Sequence, residues 1–309
     1  ALLVGRKLNM RLFVRIFLGI FALAVIGLAI FLVPPHLQTQ GIKPDLPTEQ
    51  ALRNLMTAED GPIAVHYVLT ASQSVRGRQL AHTTFLVEWA NGNLFAIDAG
   101  MDETGAADFA ELMNRISGGG EAQFFGTLGA QLGSELERVK GIGFTHLHID
   151  HTQGVTAFCS DRGAGTDLLQ TNDQRDEHNF NTVEGAEIVT KSCLSRGTLQ
   201  GREILTNDAF PGLGLIALGG HTPGSTLFAV GLKDHLWLFS GDTTNTKTDL
   251  VNNRGKGFVY SGLFVPENTG RTENLRLWLT GLDTNADIDV IVSHDLEALL
   301  ATGMPKFSQ

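Results

Sequence analysis

Residues 145–151 read Thr-His-Leu-His-Ile-Asp-His and directly follow the apolar run at 141–144. If that run is a β-strand, His146 and His148 point to the same side, because side chains alternate along a strand with a period of two. The last aspartate and histidine of the motif then fall in the following turn, where the chain can direct both toward the same point. Three imidazoles and one carboxylate suit Zn²⁺, Fe or Mn without a thiolate. The motif therefore predicts a metal centre at the end of a strand.

Three more candidate ligands follow short apolar runs later in the chain. His221 lies in the segment Gly-Gly-His-Thr-Pro-Gly, Asp242 comes directly after the predicted strand 235–240, and His294 comes directly after the predicted strand 288–293. Ligands at the carboxyl ends of different strands can converge at one edge of a sheet. Each position alone is a weak signal, but their order together with the histidine-rich motif favours a two-metal site.

This pattern resembles the metallo-β-lactamase-fold hydrolase superfamily over about residues 61–296. The resemblance implies an α+β fold, a four-layered αββα sandwich with the metals at one edge of its two sheets. By matching motif positions, it implies a first metal bound by His146, His148 and His221, a second bound by Asp150, His151 and His294, and a bridge between them from Asp242. Asp98, after a predicted strand, matches the family's early aspartate and is expected to orient a ligand without binding metal.

The resemblance also implies the chemistry. Two divalent cations, with zinc expected and iron or manganese as alternatives, would bridge a water and lower its pKa to about 7. The resulting hydroxide would attack an ester, a lactone or a phosphoester, so the chain is expected to be a dinuclear metallo-hydrolase acting on a small molecule. Asp150 is the expected catalytic residue, since it could orient the nucleophile and carry a proton to the leaving group.

Individual positions differ between branches of the superfamily, and they indicate which branch this chain resembles most. An aspartate at the bridging position argues against the true β-lactamases, which lack it. The ligand spacing looks most like the lactonase and organophosphate-hydrolase branches. The acyl-homoserine-lactone lactonases, however, carry a tyrosine shortly after this aspartate, where Thr243, Thr244 and Asn245 stand here. Three alternatives stay open: an iron-dependent oxidoreductase using the same cage, an RNase Z-like nuclease, and a non-catalytic metal-binding membrane protein.

Charge is unevenly spread along the chain and bears on its partners. The formal net charge is −10, but Arg6, Lys7, Arg11 and Arg15 give the first 15 residues a charge of +4, which leaves −14 for the rest. An acidic body of this size repels nucleic-acid phosphates. We therefore expect no nucleic-acid partner, and the nuclease alternative is weakened accordingly.

The N-terminal segment predicts a transmembrane anchor. Residues 16–33 form an uncharged apolar run of 18 residues, which at about 1.5 Å per residue nearly spans a hydrocarbon core of about 30 Å. The basic segment 1–15 precedes this run, and Pro34 and Pro35 are expected to end the helix. The positive-inside rule then predicts a cytoplasmic N-terminus and an extracytoplasmic domain. A cleaved signal peptide, giving a secreted or periplasmic protein, is the alternative.

The rest of the chain is predicted to divide into a tether and one domain. Residues 34–60 contain several prolines and predict a linker with one short helix near 48–57, and residues 61–309 predict the catalytic domain. Short apolar runs predict strands at 63–70, 82–90, 93–98, 140–145, 214–218, 225–231, 235–240 and 288–293. Helical patterns fit 104–116, 127–139 and 271–282.

Two irregular stretches are candidates for the walls of a substrate pocket. Loops on a rigid sheet edge commonly carry specificity. The stretches are 118–125, with Phe124 and Phe125, and 252–266, with Phe258, Tyr260 and Phe264. The alternative is that these aromatic side chains only pack beneath long loops.

Two further pairs of residues receive simpler interpretations. Cys159 and Cys193 are the only cysteines, and they are expected either to form a disulfide outside the cytoplasm or to be two buried free thiols. His66 and His82 lie in strand-like runs and are expected to be core or surface histidines, not metal ligands.

Overall fold

Thirteen strands form two β-sheets in the computed structural model, which describes residues 10–308. The strands of the first sheet are β1 Pro62–Val75, β2 Arg78–Trp89, β3 Leu94–Ile97, β4 Gly119–Phe124, β5 Val139–Gly143, β6 Asp167–Leu168 and β7 Ser195–Arg196. Their order across the sheet is β4-β1-β2-β3-β5-β6-β7. The strands of the second sheet are β8 Gln200–Gly201, β9 Leu205–Thr206, β10 Leu213–Ala217, β11 Thr226–Gly231, β12 Leu236–Phe239 and β13 Ile288–Ile291, in the order β13-β12-β11-β10-β9-β8.

Helices precede, connect and cover these strands. They are α1 Met10–Gly41, α2 Glu49–Arg53, α3 Glu103–Ser117, α4 Leu128–Leu132, α5 Ile149–Thr152, α6 Val155–Arg162, α7 Asn172–Asp176, α8 Val183–Thr190, α9 Lys247–Val251, α10 Thr269–Asp283 and α11 Leu296–Ala301. Short 3-10 turns span Asn54–Thr57, Gly133–Arg138 and Gly241–Thr243, and a π-helical turn spans Tyr260–Phe264.

The two sheets pack face to face, and helices cover their outer faces. In β2, Phe85 and Val87 belong to the core between the sheets, while Leu86 between them packs with residues of α4, α6 and α8. In β11, Phe228 belongs to the core between the sheets, and Leu227 packs with residues of α10. This period-two alternation produces the order helix, sheet, sheet, helix, and it confirms the predicted αββα sandwich.

The strand directions gather the turns that carry the predicted ligands at one edge. β3 pairs in parallel with β5, and β12 pairs in parallel with β13, so their carboxyl ends lie together. The two sheets are joined at this edge by the amide of Thr226, which donates to the carbonyl of Thr145 at 2.7 Å. Side chains that follow these strands are therefore brought close together.

Each predicted strand overlaps an observed one, but two stretches differ from the prediction. The stretch 118–125 is not irregular, because residues 119–124 form the edge strand β4, which pairs with β1. The predicted helix 127–139 is interrupted at Gly133, whose φ of 53° lies in the left-handed region. This conformation ends α4 at Leu132, and a 3-10 turn follows.

The N-terminal helix α1 is long and apolar enough to cross a membrane, and its apolar window is not buried against the protein. The prediction that Pro34 and Pro35 end this helix is wrong, because α1 continues to Gly41. Side chains of its last turns form hydrogen bonds within the helix and to the rest of the protein. The hydroxyl of Thr39 donates to the carbonyl of Pro35 at 2.9 Å, and Gln38 Nε2 donates to Glu177 Oε2 at 2.9 Å.

The basic segment 1–15 lies partly outside the described residues, which begin at residue 10. Its predicted cytoplasmic location, and the boundaries of the linker and the catalytic domain, stay predictions. The start of the linker is nevertheless helical, since residues 34–41 belong to α1.

The two cysteines form a disulfide bond with each other. Cys159 in α6 forms a disulfide with Cys193, which follows α8, and the bond ties two helices of the first sheet's outer layer together. Of the two alternatives from the sequence, the structure has the disulfide and not the free thiols.

Candidate metal centre

The seven side chains predicted as metal ligands lie in one cluster at the shared edge of the sheets. Most are almost fully buried, with exposures between 1% for His146 and 7% for Asp150 and Asp242. They come from the turn after β5, the loop after β10 and the turns that follow β12 and β13. The cluster consists of His146, His148, Asp150, His151, His221, Asp242 and His294.

Three histidines form one end of the cluster. His146 Nε2 and His148 Nδ1 are 3.1 Å apart, and a ring nitrogen of His221 lies within 4.8 Å of both ligand atoms. Like-charged imidazolium groups would repel at this distance, and burial acts in the same direction, so both effects favour neutral rings. Neutral imidazole nitrogens that converge in this way are good ligands for a divalent cation.

One carboxylate and two histidines form the other end. Asp150 Oδ2 lies 3.3 Å from His294 Nε2 and 3.7 Å from His151 Nε2. Asp150 and His151 are in the short helix α5 directly after the motif's first two histidines, so the turn that was expected after the strand is helical.

Asp242 lies between the two ends, and its two oxygens face different partners. Oδ1 is 3.1 Å from His294 Nε2 and 3.7 Å from His151 Nε2, whereas Oδ2 is 3.7 Å from His221 Nε2. The preceding residue Gly241 has a φ of 57°, and a Cβ there would lie 2.8 Å from Thr145. Glycine at this position therefore allows the turn that brings the carboxylate between the two groups of histidines.

The ring nitrogens on the far side of these histidines are held by the surrounding protein. His151 Nδ1 lies 2.9 Å from Asp98 Oδ2, His221 Nδ1 lies 2.5 Å from Glu267 Oε1, and His294 Nδ1 lies 2.7 Å from the carbonyl oxygen of Ala81. With the Nδ1–H donated to such an acceptor, Nε2 is the ring nitrogen that faces the cluster and can bind a cation once it is deprotonated. This arrangement is typical of metal-ligating histidines.

Asp98 is held tightly beside the cluster. Its carboxylate accepts hydrogen bonds from the amide of Thr145 at 2.7 Å and from the Thr145 hydroxyl at 2.8 Å, as well as the contact from His151. Its φ of 62° is in the left-handed region, which is unfavourable for a residue other than glycine. Backbone strain of this kind persists where several contacts fix the residue, as they do here.

Burial and neighbouring charge divide the histidines into two classes. Burial lowers the pKa of His148 to about 3, and burial with nearby His151 holds the pKa of His146 well below its usual value. Burial acts in the same direction on His151, but the carboxylates of Asp98 and Asp150 outweigh it and raise the pKa to about 10. The carboxylates thus attract positive charge to one end of the cluster while the other end stays neutral.

The donor atoms that face the cluster fit bound cations. Among the described residues, the buried nitrogens His151 Nε2 and His221 Nε2 have no hydrogen-bond partner, and an unsatisfied buried polar atom is costly. The mixture of imidazole and carboxylate ligands matches zinc, iron or manganese. Cations between the rings would satisfy these atoms and balance the charge of the two buried carboxylates.

A family model described as the metallo-beta-lactamase superfamily matches residues 77–294, a range that contains His82, the whole cluster and most of both sheets. The chain belongs to the metallo-β-lactamase superfamily. No curated protein matches the sequence. The superfamily and its fold are therefore shown, and they confirm the resemblance that the histidine-rich motif suggested.

Solved structures with the same fold are distant in sequence. An N-acyl homoserine lactone hydrolase, with N-hexanoyl-L-homoserine at its catalytic metal center, is 16% identical; the match covers 80% of this chain and 98% of that one, with a TM-score of 0.56. AidC, a dizinc quorum-quenching lactonase, is 13% identical, with coverages of 78% and 92% and a TM-score of 0.52. A probable metal-dependent hydrolase from Staphylococcus aureus is 15% identical, with coverages of 77% and 91% and a TM-score of 0.51.

Two charged residues that the sequence did not single out complete this metallo-β-lactamase-type cluster. The side chain of Lys256 is 2% exposed, and its Nζ lies 3.3 Å from Asp242 Oδ2 and 3.7 Å from Glu267 Oε1. Burial acts to lower the pKa of Lys256, but the charge of Asp242 outweighs it and raises the pKa. Burial acts to raise the pKa of Glu267, but Lys256 and His221 lower it to about 2. Both groups are therefore charged.

His82 also lies beside the cluster, although its strand-like context suggested a core or surface role. Its Nδ1 is 3.7 Å from Asp150 Oδ2, and its ring makes edge-on contacts with Phe109 and His294. Burial and the nearby His294 lower its pKa to about 3. The possible ligand atoms of His82, Asp150 and His294 lie within 4.8 Å of one another, so His82 is also in a position to bind metal. Its apolar strand context carries no local sequence pattern that marks this position.

The predicted pocket aromatics fall into two groups. Phe124 packs with Met101 and Ala106, and no described contact joins it or the partly exposed Phe125 to the predicted ligands. The second stretch is nearer, because the ring centre of Tyr260 lies 5.2 Å from Lys256 Nζ. Phe258 and Phe264, on either side of Tyr260, are exposed to solvent.

Proposed function

We propose that this chain is a metal-dependent hydrolase that binds two divalent cations and cleaves an ester, a lactone or a phosphoester. Zinc is the expected metal, with iron or manganese as alternatives that the same ligands fit. The observation that carries the proposal is the position of Asp242, whose two oxygens face two separate groups of histidines. A carboxylate in this position can share one oxygen with each of two cations.

We assign the ligand roles from the family pattern and from these contacts. His146, His148 and His221, whose donor atoms converge, would hold one cation. Asp150, with His151 and His294 within 3.7 Å of its Oδ2, would hold the other with them. Bound cations of this kind lower the pKa of water from 15.7 to about 7, which makes hydroxide available at neutral pH. Asp98 and Glu267 would keep His151 and His221 oriented through their Nδ1 atoms.

Asp150 would transfer the proton from the attacking water to the leaving group. Burial acts to raise its pKa, but the charges of His151 and His294 lower it, which favours the ionised carboxylate. It would take a proton from the attacking water and deliver it to the leaving oxygen of the substrate. This role is separate from the charge balance provided by Lys256, whose Nζ contacts Asp242 Oδ2 at 3.3 Å.

Lactones are one candidate substrate class within this proposal. The support is the likeness to lactonases with the same fold, one of them with the product N-hexanoyl-L-homoserine bound at its metal center. This likeness is one of fold, at 16% identity. Esters and phosphoesters with a similarly polarised central atom fit the same arrangement of ligands.

We also propose that α1 anchors the chain in a membrane with the catalytic domain outside the cytoplasm. The apolar run of α1 follows several basic residues, which favours a cytoplasmic N-terminus. The disulfide between Cys159 and Cys193 agrees with this location, since disulfides persist in oxidising compartments.

The hydrolase proposal is tested with a substrate panel and the full chain in detergent. Lactones, aryl esters, phosphoesters and β-lactams are incubated with chelated protein and with protein reloaded with zinc. We expect the reloaded protein to hydrolyse at least one of the first three classes, and the chelated protein and Asp242→Asn to lose that activity. Equal rates with and without metal, or no hydrolysis in any class, would contradict the proposal.

A further inference from the structure

Six exposed apolar side chains border the segment that reaches the metal centre. We call them the apolar rim: Phe180, Val183, Phe258, Val259, Leu263 and Phe264, with exposures from 36% for Phe180 to 84% for Phe258. The two parts of the rim adjoin, because Asn181 Nδ2 donates to the carbonyl of Phe264 at 2.9 Å. An exposed apolar patch of this kind commonly marks a surface that another apolar partner covers.

The apolar rim lies directly beside the last turns of α1. The rings of Phe31 and Phe180 have centroids 4.7 Å apart, and His36 Nε2 lies 3.0 Å from the carbonyl oxygen of Gly262 in the π-helical turn. Gln38 Nε2 also donates to the carbonyl of His178 at 3.2 Å. Both parts of the rim are therefore fixed to the end of the proposed membrane span.

Helix geometry gives the level of these contacts relative to a bilayer. Phe31 belongs to the apolar run that ends at Val33, so Phe180 lies at the level of the hydrocarbon boundary. His36 is three residues later, which at 1.5 Å per residue is about 5 Å beyond Val33. The headgroup layer is about 5 to 8 Å thick on each side of the hydrocarbon core. The contact between His36 and Gly262 thus falls within that layer.

The same segment connects the rim to the metal centre. Lys256 Nζ contacts Asp242 at 3.3 Å, and Glu267 contacts His221 at 2.5 Å, while the rim residues 258–264 lie between them. Phe258 is two residues from Lys256, so at most about 7 Å of chain separates their Cα atoms. A bilayer into which the apolar rim inserts would therefore lie close to the predicted ligands.

We infer that the apolar rim inserts into the surface of the phospholipid bilayer that holds α1, and that the metal centre acts on amphiphiles partitioned into that bilayer. The second half rests on the proposed hydrolase function. The substrate class is an ester with a long acyl chain, whose carbonyl lies near the boundary between headgroups and hydrocarbon. Water adds to that carbonyl, the ester C–O bond breaks, and the proton of the water passes to the departing alcohol oxygen, leaving an acid and an alcohol.

The insertion is tested by fluorescence of single added cysteines in the full chain, reconstituted in phosphatidylcholine nanodiscs. Phe258→Cys and Phe264→Cys are labelled with a polarity-sensitive dye, and the two native cysteines stay paired in their disulfide. The control is Ile63→Cys. Ile63 is 58% exposed, so a label there is accessible. It lies eight residues before Ala71 in β1, and Ala71 pairs with His82, which lies beside the metal centre. Ile63 is therefore about 27 Å along the strand from that end of the sheet.

The expected result is that labels at 258 and 264 are quenched by spin-labelled lipid and protected from aqueous iodide, with the reverse for the label at 63. Labels at 258 and 264 that iodide quenches as strongly as the control overturn the inference. Labels protected from both quenchers also overturn it, because a second copy or another protein would then cover the rim. None of these outcomes depends on hydrolytic activity.

The substrate class is tested with Val259→Ser/Leu263→Ser. We expect the ratio of kcat/KM for a long-chain ester in vesicles to kcat/KM for a soluble short-chain ester to fall about tenfold. An unchanged ratio overturns the substrate class. A wild-type chain that hydrolyses neither ester refutes the hydrolase proposal itself, while the quenching result still decides the membrane contact.

Discussion

Asp150 combines two roles that a single substitution can separate. Its carboxylate is placed both to bind a cation and to carry a proton, and an amide keeps an oxygen ligand but cannot act as a base. We expect Asp150→Asn to retain most of the bound metal and to lower kcat by about 10² to 10⁴. Metal content and turnover are measured on the same preparation. Wild-type turnover in this variant would remove Asp150 from proton transfer.

Lys256 is expected to stabilise the protein through charge balance. Lys256→Met preserves much of the side chain's length but leaves Glu267 without its cation among buried groups. Removing one partner of a buried ion pair typically costs about 3 to 5 kcal/mol, so we expect a loss of about 3 kcal/mol in the free energy of unfolding of the metal-free protein. Urea denaturation monitored by fluorescence measures it.

The matched control for this substitution is Lys191→Met, which removes an exposed ion pair with Glu187 on the surface of α8. Exposed pairs contribute little, so the control should unfold at the wild-type urea concentration. If both lysine variants unfold alike, the charge of Lys256 has no structural role.

Metal binding should displace protons, because the raised pKa of His151, about 10, keeps its ring protonated at pH 7 in the metal-free protein. A cation on Nε2 must replace that proton. Between pH 7 and 9 the affinity should therefore rise by about tenfold per pH unit for each proton displaced. Zinc titration calorimetry in two buffers of different ionisation enthalpy counts the released protons. A count of zero would show that the ring is already neutral.

Local sequence patterns identified the predicted metal ligands, but they did not identify the charged residues that contact those ligands. The histidine-rich motif, Asp242 and His294 stand beside apolar runs, so their position at strand ends could be predicted. Lys256 and Glu267 lie in an irregular stretch without period or motif, and only the fold brings them to Asp242 and His221. No spacing rule connects residues that meet through a loop.

At the scale of elements, the strand β5 depends on glycine where the sheets approach. A Cβ at Gly143 would lie 2.5 Å from the ring of Phe228 in the opposite sheet. We expect Gly143→Ala to cost about 1 to 3 kcal/mol in the free energy of unfolding, because overpacking forces the core apart. Thermal unfolding measures the change, and a disturbed turn after β5 should also weaken metal binding.

Gly281 provides the matched control, since a Cβ there meets no atom within 4 Å and the residue lies inside helix α10. Gly281→Ala should be neutral or stabilising by about 0.5 to 1 kcal/mol, because alanine favours the helix. Equal destabilisation by the two alanines would mean that the contact with Phe228 is not what requires glycine at 143.

The elements themselves were predictable to different degrees. Short apolar runs identified β2, β3 and β11, because each of these strands buries both faces, against different layers, and therefore carries consecutive apolar residues. The edge strand β4 is glycine-rich and polar, with the sequence Gly-Gly-Glu-Ala-Gln-Phe, so its pairing with β1 could not be read from local pattern. The helix continues beyond Pro34 and Pro35, and its last turn contacts the distant residue Glu177, which local sequence does not indicate.

At the scale of the whole molecule, the fold joins three features that are separate in sequence. The apolar span of α1, the histidine-rich edge and the disulfide-linked helical layer all belong to one acidic chain. The family and the sandwich could be predicted from the resemblance that the ligand motifs carry and from the short apolar runs. The docking of the last turns of α1 beside residues 258–264 could not be foreseen, because it depends on tertiary contacts such as that of His36 with Gly262.

The central claim is that seven side chains form one site for two cations bridged by Asp242. Its most direct test is metal analysis by mass spectrometry of the full chain, chelated, reloaded with zinc and freed of excess metal. We predict two zinc ions per wild-type chain and about one for His294→Ala, since only the second ligand group is damaged. A wild-type chain that retains one zinc or none would contradict the account.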